Sequence, residues 1–291
     1  MTSAGRRLSE LVPNRVRQLV PTDVRADLRR RARLSAPGDL GFRTVASAPA
    51  AGERTGTPDF AVLGAADAGS QWWMSMITDH PDVTPGHRSA EAAHFFAPYC
   101  TEPFGPGEMA AFHAWFPRRP GRIIGYWCPD GVAHPWIPRL LAMAAPRARV
   151  IVLVRDPVER LLDGLDRTVH KRSAHIGSYL SDAVERGFYA QQLSRLLEPY
   201  PADQVRVVQY EQCVADPAAS LTGTFEFLGV DPSHRSRPLD PPFAPSGRAA
   251  DLLDRSTRDR LRTLYRADAE ALSQLFPDLD LSLWPGITTP T

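Results

Sequence analysis

The loop between the first apolar run and the helix that follows it carries an acid where such loops usually carry a base. Residues 60–63 are apolar, residues 64–70 are small and flexible, and residues 71–78 regain helical spacing. Backbone N–H groups and the helix macrodipole normally let such a loop grip an anion. Asp67 opposes that use, because two unit charges about 4 Å apart interact by roughly 4 kcal/mol at an effective dielectric near 20. This loop is therefore either no anion site or an altered one.

Asp67 has three possible roles that its position in the chain does not separate. It is suited to act as a general acid or base, to bind a cation, or to cap the following helix through its carboxylate. Asp67, Glu91 and Asp163 would supply oxygen ligands if they converged on a divalent cation. Their spacing matches no metal motif, so we expect separate, solvated or arginine-paired acids and no metal site.

The segments that must position these groups alternate between strand and helix. Apolar or β-branched runs predict strands, helical spacing predicts helices, and the stretch 97–122 is rich in proline and aromatics and is expected to be irregular. Alternation of this kind predicts an α/β fold with a parallel β-sheet flanked by helices. The expected strands are 60–63, 123–125, 149–154 and 205–208, and the expected helices are 71–78, 136–145, 157–165, 180–198, 218–228 and 256–275.

Composition limits the classes of partner. The 291 residues are 43% hydrophobic and 23% charged, and the net charge of +1 gives no general attraction to nucleic acid or anionic lipid. Lys171 is the only lysine, which removes lysine as a catalytic group from nearly the whole chain. No apolar run reaches the length of a membrane span, and the three cysteines form no disulfide or metal pattern. We expect a cytoplasmic, bacterial protein with core thiols, a small-molecule substrate and no stable membrane insertion.

Two regions are expected along the chain. Residues 16–34 are basic and amphipathic, and residues 35–57 are rich in Ala, Gly, Pro and Ser. The first is typical of a helical arm with solvated arginines and the second of a linker. We therefore assign residues 1–56 to a basic arm and linker and residues 57–291 to the α/β domain.

Several strings in that domain, taken in order, resemble the sulfotransferase family. They are PDFAVLGA at 58–65, HPDV at 80–83, HFF at 94–96, VIVLVRDPVER at 150–160, GFYAQQL at 187–193, QYE at 209–211 and EFLG at 226–229. The similarity is to the bacterial branch related to carbohydrate sulfotransferases, which bind 3′-phosphoadenosine 5′-phosphosulfate (PAPS). It implies the sulfotransferase fold, which is related to that of P-loop NTPases.

The resemblance also implies a cofactor site whose charged residues have changed. The family loop reads approximately Gly-Ala-Pro-Arg-Ser-Gly-Thr-Thr, and here only Gly69 and the hydroxyl of Ser70 keep the expected types, with Asp67 in place of the base. A Lys-Glu pair usually precedes the HFF string, whereas here Glu91 is one position out of register before His94. We take Asp67, Glu91 and His94 as the candidate catalytic residues. His94 has an alternative role as a hydrogen-bonded structural histidine.

The expected site for the 3′-phosphate keeps one residue and changes another. Arg155 stands where the family arginine grips that phosphate, while Asp163 replaces the family serine eight residues later. An ion pair of Arg155 with Glu159 or Glu211 is the structural alternative. We take Gly69, Ser70, Arg155 and Asp163 as the residues of a degenerate PAPS site.

Aromatic residues cluster where the family lines its cofactor and acceptor pocket. A catalytic lysine of the family is replaced by Trp127, and its neighbour Tyr126 also replaces a charged residue. Such rings are alternatively part of the core, but we expect them to line the pocket. The predicted lining is Trp72, Trp73, Tyr126, Trp127 and Trp136.

The changed residues separate three possible functions. The first is an enzyme of sulfotransferase descent that has lost normal PAPS-dependent transfer, needs no cofactor, and performs acid/base or cation-stabilising chemistry such as cyclisation or isomerisation in bacterial secondary metabolism. The second is a divergent sulfotransferase that still binds PAPS and acts on a small-molecule hydroxyl or amine. The third is a non-catalytic binding protein. We expect the first, since the cations that stabilise sulfuryl transfer are missing from the expected site.

Overall fold

The computed structural model describes residues 54–86, 90–170, 176–237, 239–242 and 253–287. The proposed basic arm, residues 16–34, lies outside these residues, as does nearly all of the linker. Among the described residues, no helix combines the length and the apolar character needed to cross a bilayer.

The strands form one parallel sheet in the order β2-β3-β1-β4-β5. Ladders join β1 to β3 and β4, β2 to β3, and β4 to β5, all in parallel. The predicted parallel sheet is therefore confirmed. The strands are β1 (Phe60–Val62), β2 (Val83–Thr84), β3 (Ile123–Trp127), β4 (Arg149–Val154) and β5 (Val205–Gln209).

Helices flank this sheet, as predicted. Short 3₁₀ turns occur at Ala97–Cys100, Ala202–Gln204 and Leu281–Leu283. The described α-helices are α1 (Ser70–Ile77), α2 (Ala90–Ala93), α3 (Pro106–His113), α4 (Ile137–Ala144), α5 (Pro157–His170), α6 (Ile176–Glu185), α7 (Tyr189–Leu197), α8 (Tyr210–Ala215), α9 (Pro217–Leu228) and α10 (Arg255–Leu275).

The central strands are buried on both faces, which explains their unbroken apolar sequences. Every residue of β1 is fully buried, and so are residues 150–154 of β4. A parallel sheet covered by helices on both sides leaves no solvent face for polar side chains. Because these strands run parallel, the carboxyl ends of β1, β3 and β4 lie at the same edge of the sheet, where the candidate site lies.

Two predicted segments differ from the structure in type or in continuity, and β3 runs two residues beyond its predicted end at residue 125. The stretch 97–122 was expected to be irregular, but it contains α3, which begins with Pro106 and is capped where Glu108 accepts a hydrogen bond from Gly105 N (3.0 Å). The single helix expected over 180–198 is two helices that break around Gly187. A Cβ at Gly187 would lie 2.6 Å from the Tyr265 ring, so the absence of a side chain at the break lets α10 pack close to it.

The cysteines are free, and two of the three are core thiols as expected. Cys128 and Cys213 are buried, and burial raises the pKa of each to about 12. Cys100 is exposed, which corrects the expectation for that residue. It lies at the end of a 3₁₀ turn rather than on a core-facing strand or helix.

Gly125 lets β3 pass close to β1. A Cβ at this position would lie 2.2 Å from Cζ of Phe60, a fully buried ring. Gly125→Ala is therefore expected to destabilise the fold by about 1–3 kcal/mol, the range for overpacking a core. Urea denaturation measures this change. The control is Gly107→Ala in α3, where a Cβ meets open space and should be neutral or stabilising. Unchanged stability of Gly125→Ala would contradict the packing.

Candidate functional site

The loop after β1 places Asp67 beside the start of α1. Asp67 has a φ of 64°, in the left-handed region that Asp tolerates better than most residues. The N-cap of α1 is Gly69, with a φ of 92°. Asp67 is thus two residues before the N-cap residue. Its half-exposed side chain borders a cleft.

This cleft, which we call the loop cleft, has a volume of about 530 Å³ and opens at the carboxyl ends of β1 and β3. Ligands of parallel α/β sheets bind at this end of the strands. It brings together five of the residues expected from sequence. Among the described residues its lining is Asp67, Gly69, Ser70, Gln71, Trp72, Ser75, Trp127, Pro129 and Pro242.

Trp127 joins β3 to the loop through an uncharged hydrogen bond. Its indole Nε1 donates to Ser70 Oγ at 3.3 Å. Ser70 is 5% exposed, and Trp127 is half-buried. The position that the family resemblance assigns to a catalytic lysine is therefore filled by a neutral donor whose one N–H is already bound.

Trp72, which also lines the loop cleft, is fixed in orientation. Its Nε1 donates to the carbonyl of Leu239 at 3.0 Å, and its ring meets Tyr210 edge-on at 5.9 Å between centroids. It is 6% exposed. A rigid aromatic face next to Asp67 can stabilise positive charge on a bound molecule.

Arg155 and Asp163 form a buried ion pair. Arg155 follows β4, Asp163 lies on α5, and Arg155 Nη1 donates to Asp163 Oδ2. The two side chains are only 9% and 14% exposed. The Arg155 guanidinium carbon also lies 5.0 Å from the centroid of the Tyr210 ring. The residue expected to hold a 3′-phosphate thus holds a carboxylate of the chain itself. The partner in this ion pair is Asp163, whereas the sequence had suggested Glu159 or Glu211.

Three of the expected pocket aromatics lie away from the loop cleft. Trp73 is fully buried in the core, and Tyr126 is 2% exposed, with its hydroxyl donating to Ala93 O at 3.4 Å. Successive strand residues face opposite sides, so Trp127 faces the cleft while Tyr126 faces the core. Burial raises the pKa of Tyr126. Trp136 donates to Phe96 O at 3.1 Å and stacks on His134, at the turn after β3.

His94 has an acidic partner that sequence spacing did not reveal. Its Nδ1 lies 3.6 Å from Asp130 Oδ2, and Asp130 also binds Arg186. His94 is half exposed. The side chain of Glu91 lies outside the described part of the structure. The catalytic roles proposed for these two residues remain predictions.

Some cleft residues were missed from sequence. Gln71 and Ser75 follow Asp67 on one face of α1, a spacing of four residues that helical periodicity could have identified. Pro242 is brought in by tertiary contacts, and no local pattern marks it. Within the described ranges, no three His, Cys, Asp or Glu side chains are grouped as they would be around a metal ion.

Comparison with known proteins finds similarity to one family. Residues 127–234 match the family model described as "Sulfotransferase family". Heparan sulfate glucosamine 3-O-sulfotransferase 3B1 of Mus musculus is 27% identical over 189 residues, which cover 60% of this chain and 46% of the relative. Heparan sulfate glucosamine 3-O-sulfotransferase 6 of Homo sapiens is 27% identical over 209 residues, which cover 67% of this chain and 57% of that relative. The chain thus spans about half the length of the curated relatives it matches.

A solved structure gives the same fold. The sulfotransferase from Alicyclobacillus acidocaldarius superposes with a TM-score of 0.64 at 23% identity, over 78% of this chain and 98% of that one. Residues 127–234 are thus similar to the sulfotransferase family, and the described α/β domain has the fold of this solved sulfotransferase, as the sequence resemblance implied.

Asp156, next to Arg155, makes stability depend on pH. Burial raises its pKa from 3.8 to about 6, although Val158 N and Glu159 N donate to it. Between about pH 4 and 6 the folded state therefore keeps a proton that the unfolded state has lost. The contribution of this group to stability falls by about 3 kcal/mol as the pH rises across that window.

Asp156→Asn should remove this dependence. Relative to the wild type, the variant is expected to gain stability between pH 4 and pH 7 in urea denaturation. Asp254→Asn is the control of opposite sign, because hydrogen bonds from Thr257 and Ser256 lower the pKa of the exposed Asp254. The stability advantage of the wild type over Asp254→Asn should shrink as the pH falls. A difference between wild type and Asp156→Asn that is constant with pH would contradict the raised pKa.

Proposed function

We propose that this chain is an enzyme of sulfotransferase descent that does not use PAPS in the usual way. The loop cleft would instead bind a small organic molecule and perform acid/base chemistry on it, of the cyclisation or isomerisation type. The observation that carries this proposal is the ion pair between Arg155 and Asp163.

The ion pair supports the loss of normal nucleotide binding. An incoming phosphate would have to displace Asp163 from Arg155 and leave a carboxylate that is only 14% exposed beside a second anion. Removing one partner of a buried pair leaves an uncompensated charge, which typically costs about 3–5 kcal/mol. Binding of a 3′-phosphate is therefore opposed by the chain's own carboxylate.

The lining of the loop cleft supports the loss of sulfuryl transfer. That reaction gains its rate from cations and donors around the transferring group. Among the described residues that line the cleft there is no arginine or lysine, and Asp67 adds an acid. The hydroxyl of Ser70 accepts a hydrogen bond from Trp127 and keeps its own O–H as a donor, but this group is uncharged and does not replace a cation.

The same lining suits proton-driven chemistry. In the proposed reaction, the carboxyl group of Asp67 donates its proton to a double bond of the substrate, and a carbocation forms. The ring faces of Trp72 and Trp127 stabilise this positive charge. A new bond or double bond forms as the carboxylate takes a proton back, so atoms balance and no cofactor is consumed.

A second candidate function is PAPS-dependent transfer by a rebuilt site. It is favoured by the position of the loop cleft at the carboxyl ends of β1 and β3, before the N-terminus of α1. In this case Ser70, backbone N–H groups and Arg155 would hold the cofactor. The curated relatives are named for sulfation of heparan sulfate glucosamine, and an acceptor hydroxyl or amine would be the corresponding substrate here.

Nucleotide binding distinguishes the two candidates. Adenosine 3′,5′-bisphosphate is expected to bind the wild-type chain weakly or not at all in calorimetry at moderate salt. Asp67→Arg together with Asp163→Ser should bring measurable affinity, because both opposing carboxylates are then gone. Asp203→Ser, an exposed acid on the 3₁₀ turn Ala202–Gln204, is the control and should bind no better than the wild type. A dissociation constant in the low micromolar range for the wild type would restore the sulfotransferase function.

Asp67→Asn tests the proposed proton donor. Asparagine also tolerates a positive φ, so the loop should keep its conformation. Substrates are sought by native mass spectrometry of ligands that co-purify with the chain, followed by turnover without any nucleotide. The variant should bind the substrate but lose roughly a hundredfold or more in rate. The control is Ser75→Ala, which changes the cleft lining without removing an acid. Near-normal turnover by folded Asp67→Asn would eliminate Asp67 as the donor.

A further inference from the structure

Strand β5 lies at one edge of the described sheet, where its only strand neighbour is β4. Ile151 and Leu153 of β4 accept hydrogen bonds from the chain that continues β1, so Val152 between them bonds towards β5. In a parallel ladder, Val152 bonds to both neighbours of its register partner, which is Val207. Val207 itself therefore turns its backbone N–H and C=O away from the sheet.

The outer edge of β5 carries backbone groups that no described residue binds. The N–H and C=O of Val207 have no hydrogen-bond partner within the described ranges. The carbonyl of Val205, two residues earlier, has the same orientation and is also unpaired there, whereas the N–H of Val205 donates to Ala202 O. β5 contains no proline or lysine, residues that commonly protect a sheet edge from pairing. This edge can therefore accept one further strand.

Residues 205–208 of β5 line a cavity of about 770 Å³, which we call the edge groove. On one face of β5 lies α9, since a Cβ at Gly223 would lie 2.6 Å from Arg206 Nη2. On the other face Gln209 Nε2 donates to Asp280 O, and Gln209 Oε1 accepts from Asp280 N, both at 2.9 Å. Positions 206 and 209 face opposite sides because strand side chains alternate. The unpaired edge thus lies between two walls, which suits a thin extended segment.

Apolar side chains on both walls are open to solvent. Phe227 of α9 and Phe276 after α10 are half-buried. Leu275 and Leu283 are 42% and 37% exposed, although both are large and apolar. A bound segment with apolar side chains would remove this surface from water, at roughly 25 cal/mol per Å².

The charges of the edge groove favour a basic partner. Its described lining carries the carboxylates of Asp203, Asp216 and Asp278 and one guanidinium, that of Arg206. All three acids are exposed, and none has an ion pair within the part of the chain that the structure describes. The lining is therefore negative overall, and lysine or arginine side chains of a partner would complement it.

We propose that the edge groove binds an extended segment of a partner polypeptide that carries apolar and basic residues. The segment would lie beside β5 as a further strand, with hydrogen bonds to the N–H and C=O of Val207 and to the carbonyl of Val205. Addition of a strand to an open sheet edge is a recurring mode of peptide recognition. The edge groove shares no described lining residue with the loop cleft, so this proposal does not depend on the reaction there.

Three fluorescein-labelled peptides test the proposal on the full-length chain. The first alternates valine and arginine, the second has glutamate in place of arginine, and the third is the first with every backbone amide N-methylated. In fluorescence anisotropy the first should bind, and less tightly as salt is raised. The other two should bind at least about tenfold more weakly, through charge repulsion and through loss of backbone hydrogen bonds. No binding of the first peptide, or equal binding of either other peptide, would overturn the proposal.

The amide of Val207 reports where the first peptide binds. Its hydrogen exchange should slow at least about tenfold in the saturated complex, because the N–H gains an acceptor. Val207→Pro removes an N–H that faces away from the sheet, a position where proline is tolerated, and should weaken binding at least about tenfold. Val207→Thr keeps the N–H and the branched side chain and should bind normally. If Val207→Pro does not fold, exchange in the wild type decides, and unchanged exchange in the saturated complex would refute the site.

The acidic lining and the other possible occupant are tested separately. Asp278→Asn should weaken binding of the first peptide about two- to fivefold, the range for an exposed ion pair. Glu226→Gln changes an exposed acid of α9 outside the lining and should bind normally. Equal losses in the two variants would contradict the charge argument. Sedimentation velocity tests a second copy of this chain as the occupant. Self-association that the peptide competes away and that Val207→Pro abolishes would assign the groove to that copy and overturn the proposal.

Discussion

The ion pair between Arg155 and Asp163 is the interaction on which the rest of the candidate site depends. It joins the end of β4 to α5. Tyr189 donates to Arg155 O at 2.9 Å, and Asp156 N donates to Glu211, which also accepts from Trp284 at 3.0 Å. The carboxyl end of the central strand is thereby held by contacts within the chain. A site held in this way is already organised without an anion.

Strand β3 places one aromatic side chain in the core and the next one in the loop cleft. Alternating residues place Tyr126 among the core rings and Trp127 in the loop cleft. The hydrogen bond from Trp127 to Ser70 then links strand and loop without charge. The loop cleft lies at the carboxyl ends of the strands, and its described lining is acidic and aromatic. A fold does not by itself specify a reaction.

Sequence patterns predicted the fold better than the site. Strand β4 was found at its observed bounds because an unbroken apolar run rich in β-branched residues is typical of a buried parallel strand. The loop cleft was located through Asp67 and Ser70, since a strand–loop–helix unit fixes where they lie. Tyr126 was wrongly assigned to the pocket because strand β3 was expected to end at residue 125. The alternation of strand side chains between the two faces of the sheet was therefore not applied to Tyr126. The pairing of Asp163 with Arg155 depends on helix geometry after β4 and on burial, which spacing alone does not specify.

The central claim is that Asp163 occupies the position of a phosphate on Arg155. It is tested most directly by crystals of the full-length protein soaked in adenosine 3′,5′-bisphosphate. We expect electron density for the Asp163 carboxylate on the Arg155 guanidinium and no nucleotide between β4 and α5. A bisphosphate bound to Arg155, with Asp163 turned away, would contradict it.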